Sequence, residues 1–240
     1  MSFPTDAVAL ITGAASGIGK ATVEHLYAEG VRRFALVDVN SAMPRFDNAD
    51  VLHLCGSVAD PSTWDEAERA ITERFGRLDL AVVNAGISGA RPIADLAFED
   101  WRRVLSVNLD GAFLTLRAAM RLIPGEGAIV IVSSIAGIKA EPGVAAYGAS
   151  KAAAAHLAKV AAKEGAARRL RVNAILPGGV DTPIWTGMSF EALQAMAEAS
   201  TPLGRFATAD EIARQIAFLL SDRASTITGA LLASDGGYSL

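Results

Sequence analysis

The amino-acid sequence predicts an α/β fold in which a doubly wound parallel sheet of about seven strands carries helices on both faces. Three observations lead there. Short apolar runs of strand type alternate with longer segments of helical period along the whole chain, a pattern of parallel strands joined by crossover helices. The first of these runs leads straight into a glycine-rich turn and then a helical pattern. The chain has 240 residues, 51% of them hydrophobic, enough to bury one sizeable core. No linker rich in Pro, Gly and Ser divides it, and no repeat is present, so residues 1–240 read as a single domain.

The elements follow in order. Val8 to Ile11 is the first strand, the helix after the glycine turn runs over 17–29, and Phe34 to Asp38 is the second strand. The connection from Val39 to Asp50 has only 12 residues and contains Pro44, so the usual crossover helix is expected to be very short or partly irregular there. A third strand at 51–54 precedes a helix at 62–75, whose start is marked by Asp60-Pro61-Ser62-Thr63. Strand 80–83, helix 99–122, strand 128–133 and helix 146–168 continue the alternation. Strand 171–176, helix 208–221 and strand 230–233 complete it.

The glycine turn reads Thr12-Gly13-Ala14-Ala15-Ser16-Gly17-Ile18-Gly19. Glycines there permit tight turning and close approach of a pyrophosphate, whose charge is favoured at the exposed N–H groups of a helix start. The spacing Gly-x-x-x-Gly-x-Gly differs from the Gly-x-Gly-x-x-Gly dinucleotide fingerprint, so its context has to carry the reading. Asp38 supplies that context, ending the second strand nineteen residues after Gly19. In a βαβ nucleotide unit, an acid at this place accepts hydrogen bonds from the ribose diol and repels a 2′-phosphate, which favours NAD over NADP. Arg32 and Arg33 precede the strand at its opposite end and read as a solvated helix-to-strand loop.

Tyr147 and Lys151 stand four residues apart in Tyr-Gly-Ala-Ser-Lys, on one face of a helix. An ammonium held beside a phenol favours the phenolate and lowers its pKa, making the tyrosine a proton-transfer group near neutrality. The same spacing is also an ordinary helix surface.

These motifs together resemble the short-chain dehydrogenase/reductase family, from about residue 5 to the C-terminus. The resemblance also rests on Asn84-Ala85-Gly86 after an apolar strand, on Asn108 in Ser-Val-Asn-Leu-Asp-Gly, and on Ser133-Ser134 after Ala128 to Val132. Pro177-Gly178-Gly179-Val180-Asp181-Thr182-Pro183 and the terminal Thr228-Gly229 to Gly237 add to it. A Rossmann-type fold and a catalytic set of Asn108, Ser134, Tyr147 and Lys151 are implied. Ser134 is chosen over Ser133 because the family's serine lies thirteen residues before its tyrosine. By this resemblance Ser134 holds the substrate oxygen and Tyr147 moves the alcohol proton. Lys151 tunes the tyrosine and binds the nicotinamide ribose, and Asn108 holds a water linking Lys151 to solvent.

The implied NAD-binding residues are Gly13, Ser16, Gly17, Ile18, Gly19, Asp38, Val58, Asn84, Ala85, Gly86, Tyr147, Lys151, Pro177, Gly178, Val180 and Thr182. Val180 is expected at the carboxamide through its backbone, and Thr182 at the carboxamide or pyrophosphate. The chain departs from the family at two places. Val83 stands where a first asparagine is usual, removing a strand-bridging hydrogen bond, and Gly56-Ser57-Val58 lacks the acid that many relatives direct at the adenine amino group. Val58 is left a backbone or packing role.

The segment Ile184 to Leu203, with Trp185, Met188, Phe190, Leu193 and Met196, is implied to be a substrate lid, and its apolar side chains point to an apolar substrate. Packing of these residues onto their own domain is the competing reading. Residues 88–91, 135–143 and 178–179 would form the remaining pocket wall, with Arg91, Lys139 and Glu141 its few charges. The alanine-rich helix after Lys151 suits either close packing in a homotetramer, the usual family assembly, or the chain's own sheet.

Composition removes other classes. A net charge of −4 argues against a nucleic-acid surface, and Arg168, Arg169 and Arg171 are read as favouring the end of the preceding helix. The single Cys55 and three histidines without ligand spacing give no disulfide and no metal site; His156 is read as surface or interface. No apolar run is long enough for a bilayer and no signal core is seen, so a soluble cytoplasmic protein is expected.

The expected activity is an NAD(H)-dependent interconversion of a secondary alcohol and its ketone, on a hydrophobic or cyclic molecule. A 3-oxoacyl-thioester reductase is the first alternative, disfavoured by Asp38 and the negative charge. A non-catalytic nucleotide sensor is the second, disfavoured by the complete proton-transfer set.

Overall fold

The computed structural model describes residues 3–182 and 189–240. It contains, in chain order, β1 (Val8–Thr12), α1 (Gly17–Ala28), β2 (Arg33–Asp38), β3 (Asp50–Cys55), α2 (Pro61–Phe75) and β4 (Leu80–Val83). There follow α3 (Phe98–Leu105), α4 (Gly111–Leu122), β5 (Gly127–Val132), α5 (Ala145–Gly165) and β6 (Leu170–Pro177). The remaining elements are β7 (Val180–Asp181), α6 (Phe190–Ser200), β8 (Ala207–Thr208), α7 (Ala209–Leu220) and β9 (Leu231–Ser234). Seven strands form one sheet in the order β3-β2-β1-β4-β5-β6-β9, with every neighbouring pair parallel. The chain leaves β1 in one direction along the sheet and resumes at β4 in the other, so their carboxyl ends form the crevice where such sheets hold ligands.

Successive strand residues face opposite sides, and two apolar layers result. Val8, Leu10, Val37, Ala81 and Ile129 join Trp64 and Ile71 of α2 and the alanines of α5 on one face. Ala9, Ile11, Leu36, Val82 and Val130 join Val23 and Leu26 of α1 and Ile212 and Ile216 of α7 on the other. The α5 alanines 154, 158, 161 and 162 are buried in the chain's own core, and Ala155 is also buried. His156 lies exposed on the opposite side of that helix.

Between β2 and β3 the expected short helix is missing altogether, the 12-residue connection with Pro44 running without one. An aromatic wedge fills the space: Phe46 stacks on Tyr27 with centroids 4.0 Å apart, the Arg32 guanidinium carbon lies 4.3 Å from the Tyr27 centroid, and Met43 is buried.

Some elements differ from the sequence expectation. The single helix expected over 99–122 is broken into α3 and α4 by a π-helical turn, Ser106–Asp110, which rotates everything beyond it relative to a regular helix. Helix 146–168 is regular only to Gly165; a 3₁₀ turn, Ala166–Arg168, closes it. Arg168 and Arg171 do serve helix ends, but those of other helices. Arg168 donates to the carbonyls of Met120 and Ile123 at the end of α4, and Arg171 to those of Leu219, Leu220 and Ser221 at the end of α7. In a parallel α/β fold helix C-termini gather at the edge where strands begin, so side chains entering β6 meet the orphan carbonyls of neighbouring helices.

Candidate active site

Gly13 and Gly17 hold φ of +67° and +51°, the left-handed region where only glycine is unstrained. A Cβ on Gly19 would lie 2.0 Å from the Gly13 carbonyl oxygen. The turn is clasped to the end of β4. Asn84 Nδ2 donates to the carbonyls of Thr12 and Gly13 at 2.9 and 3.3 Å, and Thr12 Oγ1 accepts from the N–H groups of Asn84 and Ala85 at 3.0 and 3.1 Å. Thr12 was given no role from sequence, although a hydroxyl residue ending the first strand is the available signal. Ser16 precedes α1 without bonding its side chain to the helix start, so the N–H groups of Gly17, Ile18 and Gly19 lack intrahelical acceptors. This cradle fits a pyrophosphate.

Asp38 is fixed at both carboxylate oxygens, Oδ2 accepting from the Ala15 N–H and Oδ1 from the Asn40 N–H, each at 2.9 Å. The Gly13 N–H donates to the Val37 carbonyl at 2.9 Å. The acid and the glycine turn are thus one rigid piece. Arg32 and Arg33 lie at the far end of β2, Arg32 donating to the Tyr27 and Val31 carbonyls. Val58 is buried, packs on Gly111 and accepts at its carbonyl from Trp64 Nε1 at 2.9 Å. Ser57 Oγ accepts from the Ala59 N–H at 3.3 Å, and Asp60 caps α2 by accepting from the Ser62 N–H at 2.9 Å. Val83, where the family has asparagine, is buried in the apolar layer beneath α2 and α4.

The second group of residues gathers at the ends of β5 and α5. Ser133 and Ser134 leave β5 in different roles. Ser133 Oγ donates to the Lys151 carbonyl at 2.7 Å, tying strand to helix. The Ser134 side chain stands close enough to Tyr147 to favour its phenolate, and its Oγ accepts from the Ala136 N–H at 3.2 Å. Close approach depends on two glycines that sequence reasoning did not single out: a Cβ on Gly137 or on Gly148 would lie 2.8 Å from backbone atoms of Ala152 and Ala136 respectively. Lys151 Nζ is buried, donates to the Val132 carbonyl at 2.9 Å and lies 5.7 Å from the Tyr147 ring centroid.

Asn108 enters from the π-helical turn. Its Oδ1 accepts from the Ile87 N–H at 2.8 Å, and its Nδ2 donates to the Ile87 carbonyl at 2.9 Å and to Ser150 Oγ at 3.2 Å. Ser150, another residue missed in the sequence, donates onward to the Tyr147 carbonyl at 2.7 Å. Gly86 closes the ring, since a Cβ there would stand 3.2 Å from Asn108 Oδ1 and 3.3 Å from Lys151 Nζ.

The electrostatics depart from expectation. Burial pushes the Tyr147 phenol above its ordinary pKa, with the nearby Ser134 side chain acting in the opposite direction. Burial also brings Lys151 down to about 8. The ammonium therefore does not lower the tyrosine in this state, because it points at Val132 O and is itself disfavoured by the same dry surroundings.

A family model described as enoyl-(acyl carrier protein) reductase matches residues 13–239. The chain is 41% identical over 240 residues to the cis-4-hydroxycyclohexanecarboxylate dehydrogenase of Sinomonas cyclohexanicum, with 96% of each chain covered. The chain belongs to the short-chain dehydrogenase/reductase family. It is also 38% identical over 242 residues to the 3-oxoacyl-(acyl-carrier-protein) reductase of Thermotoga maritima, with 96% of each chain covered. Among solved structures, levodione reductase superposes with a TM-score of 0.91 at 34% identity, covering 98% of both chains. Like its relatives, this short-chain dehydrogenase/reductase is an oxidoreductase of CH–OH donors in a family that uses nicotinamide cofactors.

In this family member the turn after β6 runs beside the C-terminal segment. The Gly178 N–H donates to the Ser234 carbonyl, and a Cβ on Gly179 would meet the Phe206 ring at 2.2 Å. Val180 is buried and begins β7, which pairs with β8, and Thr182 Oγ1 donates to the Val180 carbonyl at 3.3 Å. Of the expected lid, Ile184, Trp185 and Met188 lie outside the described residues, as does the Phe190 side chain. Leu193 and Met196 are half-buried on α6, which Ser189 caps. Arg91 bonds through its N–H to the Gly143 carbonyl at 2.7 Å, beside a cavity of about 250 Å³ lined by Gly89, Arg91, Asp100, Arg103, Gly143 and Ala146. Among the described residues, no helix is long and apolar enough to cross a membrane and no cluster of His, Cys, Asp or Glu could hold a metal ion.

Proposed function

We propose that this protein is an NAD(H)-dependent dehydrogenase that interconverts a hydrophobic, cyclic secondary alcohol and its ketone. The observation that carries the reading is the meeting of Ser134, Tyr147 and Lys151 at the carboxyl end of β5, with β4 between them and the glycine cradle of β1, and Asp38 one strand further on, at the end of β2. Bound there, the nicotinamide ring supplies or accepts the hydride. The chain's residues do the rest. Ser134 holds the substrate oxygen beside Tyr147, and the tyrosine hydroxyl gives a proton during ketone reduction or takes one during alcohol oxidation. Lys151 binds the nicotinamide ribose, and Asn108 and Ser150 hold the starts of these contacts in register. The glycine cradle with Ser16, the Asn84-Ala85-Gly86 edge, Val58 and the 177–182 turn bind the remaining cofactor.

NAD is favoured because both oxygens of Asp38 are anchored, leaving a fixed negative charge where a 2′-phosphate would sit. The raised phenol suits a proton donor at neutral pH, so reduction is the easier direction there and oxidation gains as pH rises. The cyclic substrate is supported by the relative that acts on a hydroxycyclohexanecarboxylate. Residues 184–203 serve as the lid. We infer a cytoplasmic homotetramer, supported by Phe113 on α4 and Val160 on α5, which remain 48% and 41% exposed on the single chain.

A 3-oxoacyl-thioester reductase is the second reading, favoured by the similarity to the Thermotoga enzyme. Against it, Arg168 and Arg171 are committed to helix ends, which leaves little basic surface there for an acidic carrier. Cofactor reduction with cyclic secondary alcohols and with 3-hydroxyacyl thioesters, each with NAD⁺ and NADP⁺, separates the readings. Preference for the thioester with NADP⁺ would replace the first by the second. Tight NAD⁺ binding without turnover on any alcohol would favour a sensing protein.

A further inference from the structure

The C-terminal residues 235–240 follow the last strand and have no part in the cofactor reading, yet they touch both walls of the proposed substrate cleft. On one side, the Leu203 N–H donates to the Gly236 carbonyl at 3.1 Å, and Gly237 packs so closely on Pro202 that a Cβ there would lie 2.8 Å from its ring. These contacts hold the foot of the lid. On the other side, Tyr238 engages the loop that joins Ser134 to α5. Its hydroxyl donates to Glu141 Oε1 at 2.5 Å, its carbonyl accepts from Lys139 Nζ at 2.6 Å, and that ammonium lies 3.6 Å from the ring centroid. Lys139 and Glu141 are themselves 3.9 Å apart. The tail is stiffened internally: Asp235 accepts from the N–H groups of Gly237 and Ser239 at 3.0 and 2.8 Å.

We propose that Tyr238 is a positioning and specificity-determining residue, clamping the loop 138–143 to the lid foot 201–205 through the C-terminal segment and thereby setting the width of the substrate cleft. The inference rests on the reading of those two segments as the cleft walls. The clamp, made of the hydroxyl–carboxylate bond, the Lys139 bond to the Tyr238 carbonyl and the ammonium on the ring, acts on loop 138–143, while the start of the tail, Asp235, packs beside Gly178.

The test uses Tyr238→Phe, which keeps the ring and the carbonyl and removes only the bond to Glu141. The expected result is a rise in KM for cyclic alcohols of about three- to tenfold, with kcat within about twofold and NAD⁺ affinity unchanged. The preference between small and bulky ring substrates should narrow. Glu141→Ala should match this effect without adding to it in the double variant, while Glu141→Gln, which retains an acceptor, should lie closer to the parent protein. Hydrogen exchange on the protein alone supplies a readout independent of turnover. Tyr238→Phe should speed exchange in both 138–143 and 201–205, although its hydroxyl touches only the first. Unchanged exchange in 201–205 would overturn the clamp whatever the activity. Faster exchange with no change in KM or ring preference would remove its role in the cleft. Absence of turnover in the parent protein would instead count against the dehydrogenase reading.

Discussion

The two ends of the site are built differently. At the proposed nucleotide end, the short side chains of Thr12, Asn84 and Asp38 bond the backbone of the glycine turn and of the end of β4, and the glycines make contacts too close for a Cβ. At the proposed substrate end, half-exposed side chains, Lys139, Glu141 and Tyr238, tie loop 138–143 to the C-terminal segment, and the more buried residues of α6 are Leu193, Met196 and Ala197. A surface for one fixed ligand can be made of backbone, which tolerates few substitutions. A surface that selects among substrates is made of side chains, each replaceable at modest cost.

Breaking the chemistry between the two ends should have the largest effect. Tyr147→Phe is expected to lower kcat by about 10³-fold or more while NAD⁺ affinity stays within about twofold. Steady-state rates and a binding titration check both halves. Next comes the rigid end itself. Gly19→Ala places a methyl group 2.0 Å from the Gly13 carbonyl and should weaken NAD⁺ binding by about 100-fold, with a lower melting temperature. Asp38→Ala should narrow the preference for NAD⁺ over NADP⁺ by about tenfold or more, since it removes both the diol acceptor and the repulsion of a 2′-phosphate. Leu193→Ala, at the adaptable end, should change KM for the alcohol by only about two- to fivefold and leave cofactor binding alone.

Lys151 allows a test in which stability and activity move oppositely. Its folded pKa of about 8 lies below the ordinary 10.5, so between those values the unfolded chain binds more protons than the folded one, and stability rises with pH. Above about pH 10 the raised Tyr147 reverses the trend, because the folded state then keeps a proton that the unfolded state has lost. Lys151→Met should abolish turnover and raise stability at neutral pH by about 1–2 kcal/mol, the desolvation relieved being about 3 kcal/mol against about 1–2 kcal/mol for the lost bond to Val132. Melting temperature followed from pH 7 to 10 should climb in the parent protein and stay flatter in the variant.

What could be read in the sequence follows the same division. Strand β1, its turn and α1 were legible because glycine spacing and apolar runs are local signals, and the short connection with Pro44 marked where a full helix after β2 would not fit, though not that none forms. The π-helical turn at Ser106–Asp110 was not, since one extra residue per turn leaves the apolar pattern of 99–122 looking continuous. The pairing of β7 with β8 was hidden because two-residue strands carry no periodic signal. Ser150 and Tyr238 act through partners far away in sequence, Asn108 and Glu141, and neither partner is marked by spacing. The resemblance named Asn108, Ser134, Tyr147 and Lys151, but the raised phenol depended on burial that only the packed structure contains.

The central claim is that the pinned acid at Asp38 and the proton-transfer group at Tyr147 serve one reaction. The direct measurement is the appearance of reduced nicotinamide when the protein meets a cyclic secondary alcohol with NAD⁺ or NADP⁺, repeated with Tyr147→Phe. The account predicts turnover with NAD⁺ in preference to NADP⁺, lost in the variant while NAD⁺ still binds. Equal rates in the parent protein and the variant would contradict it.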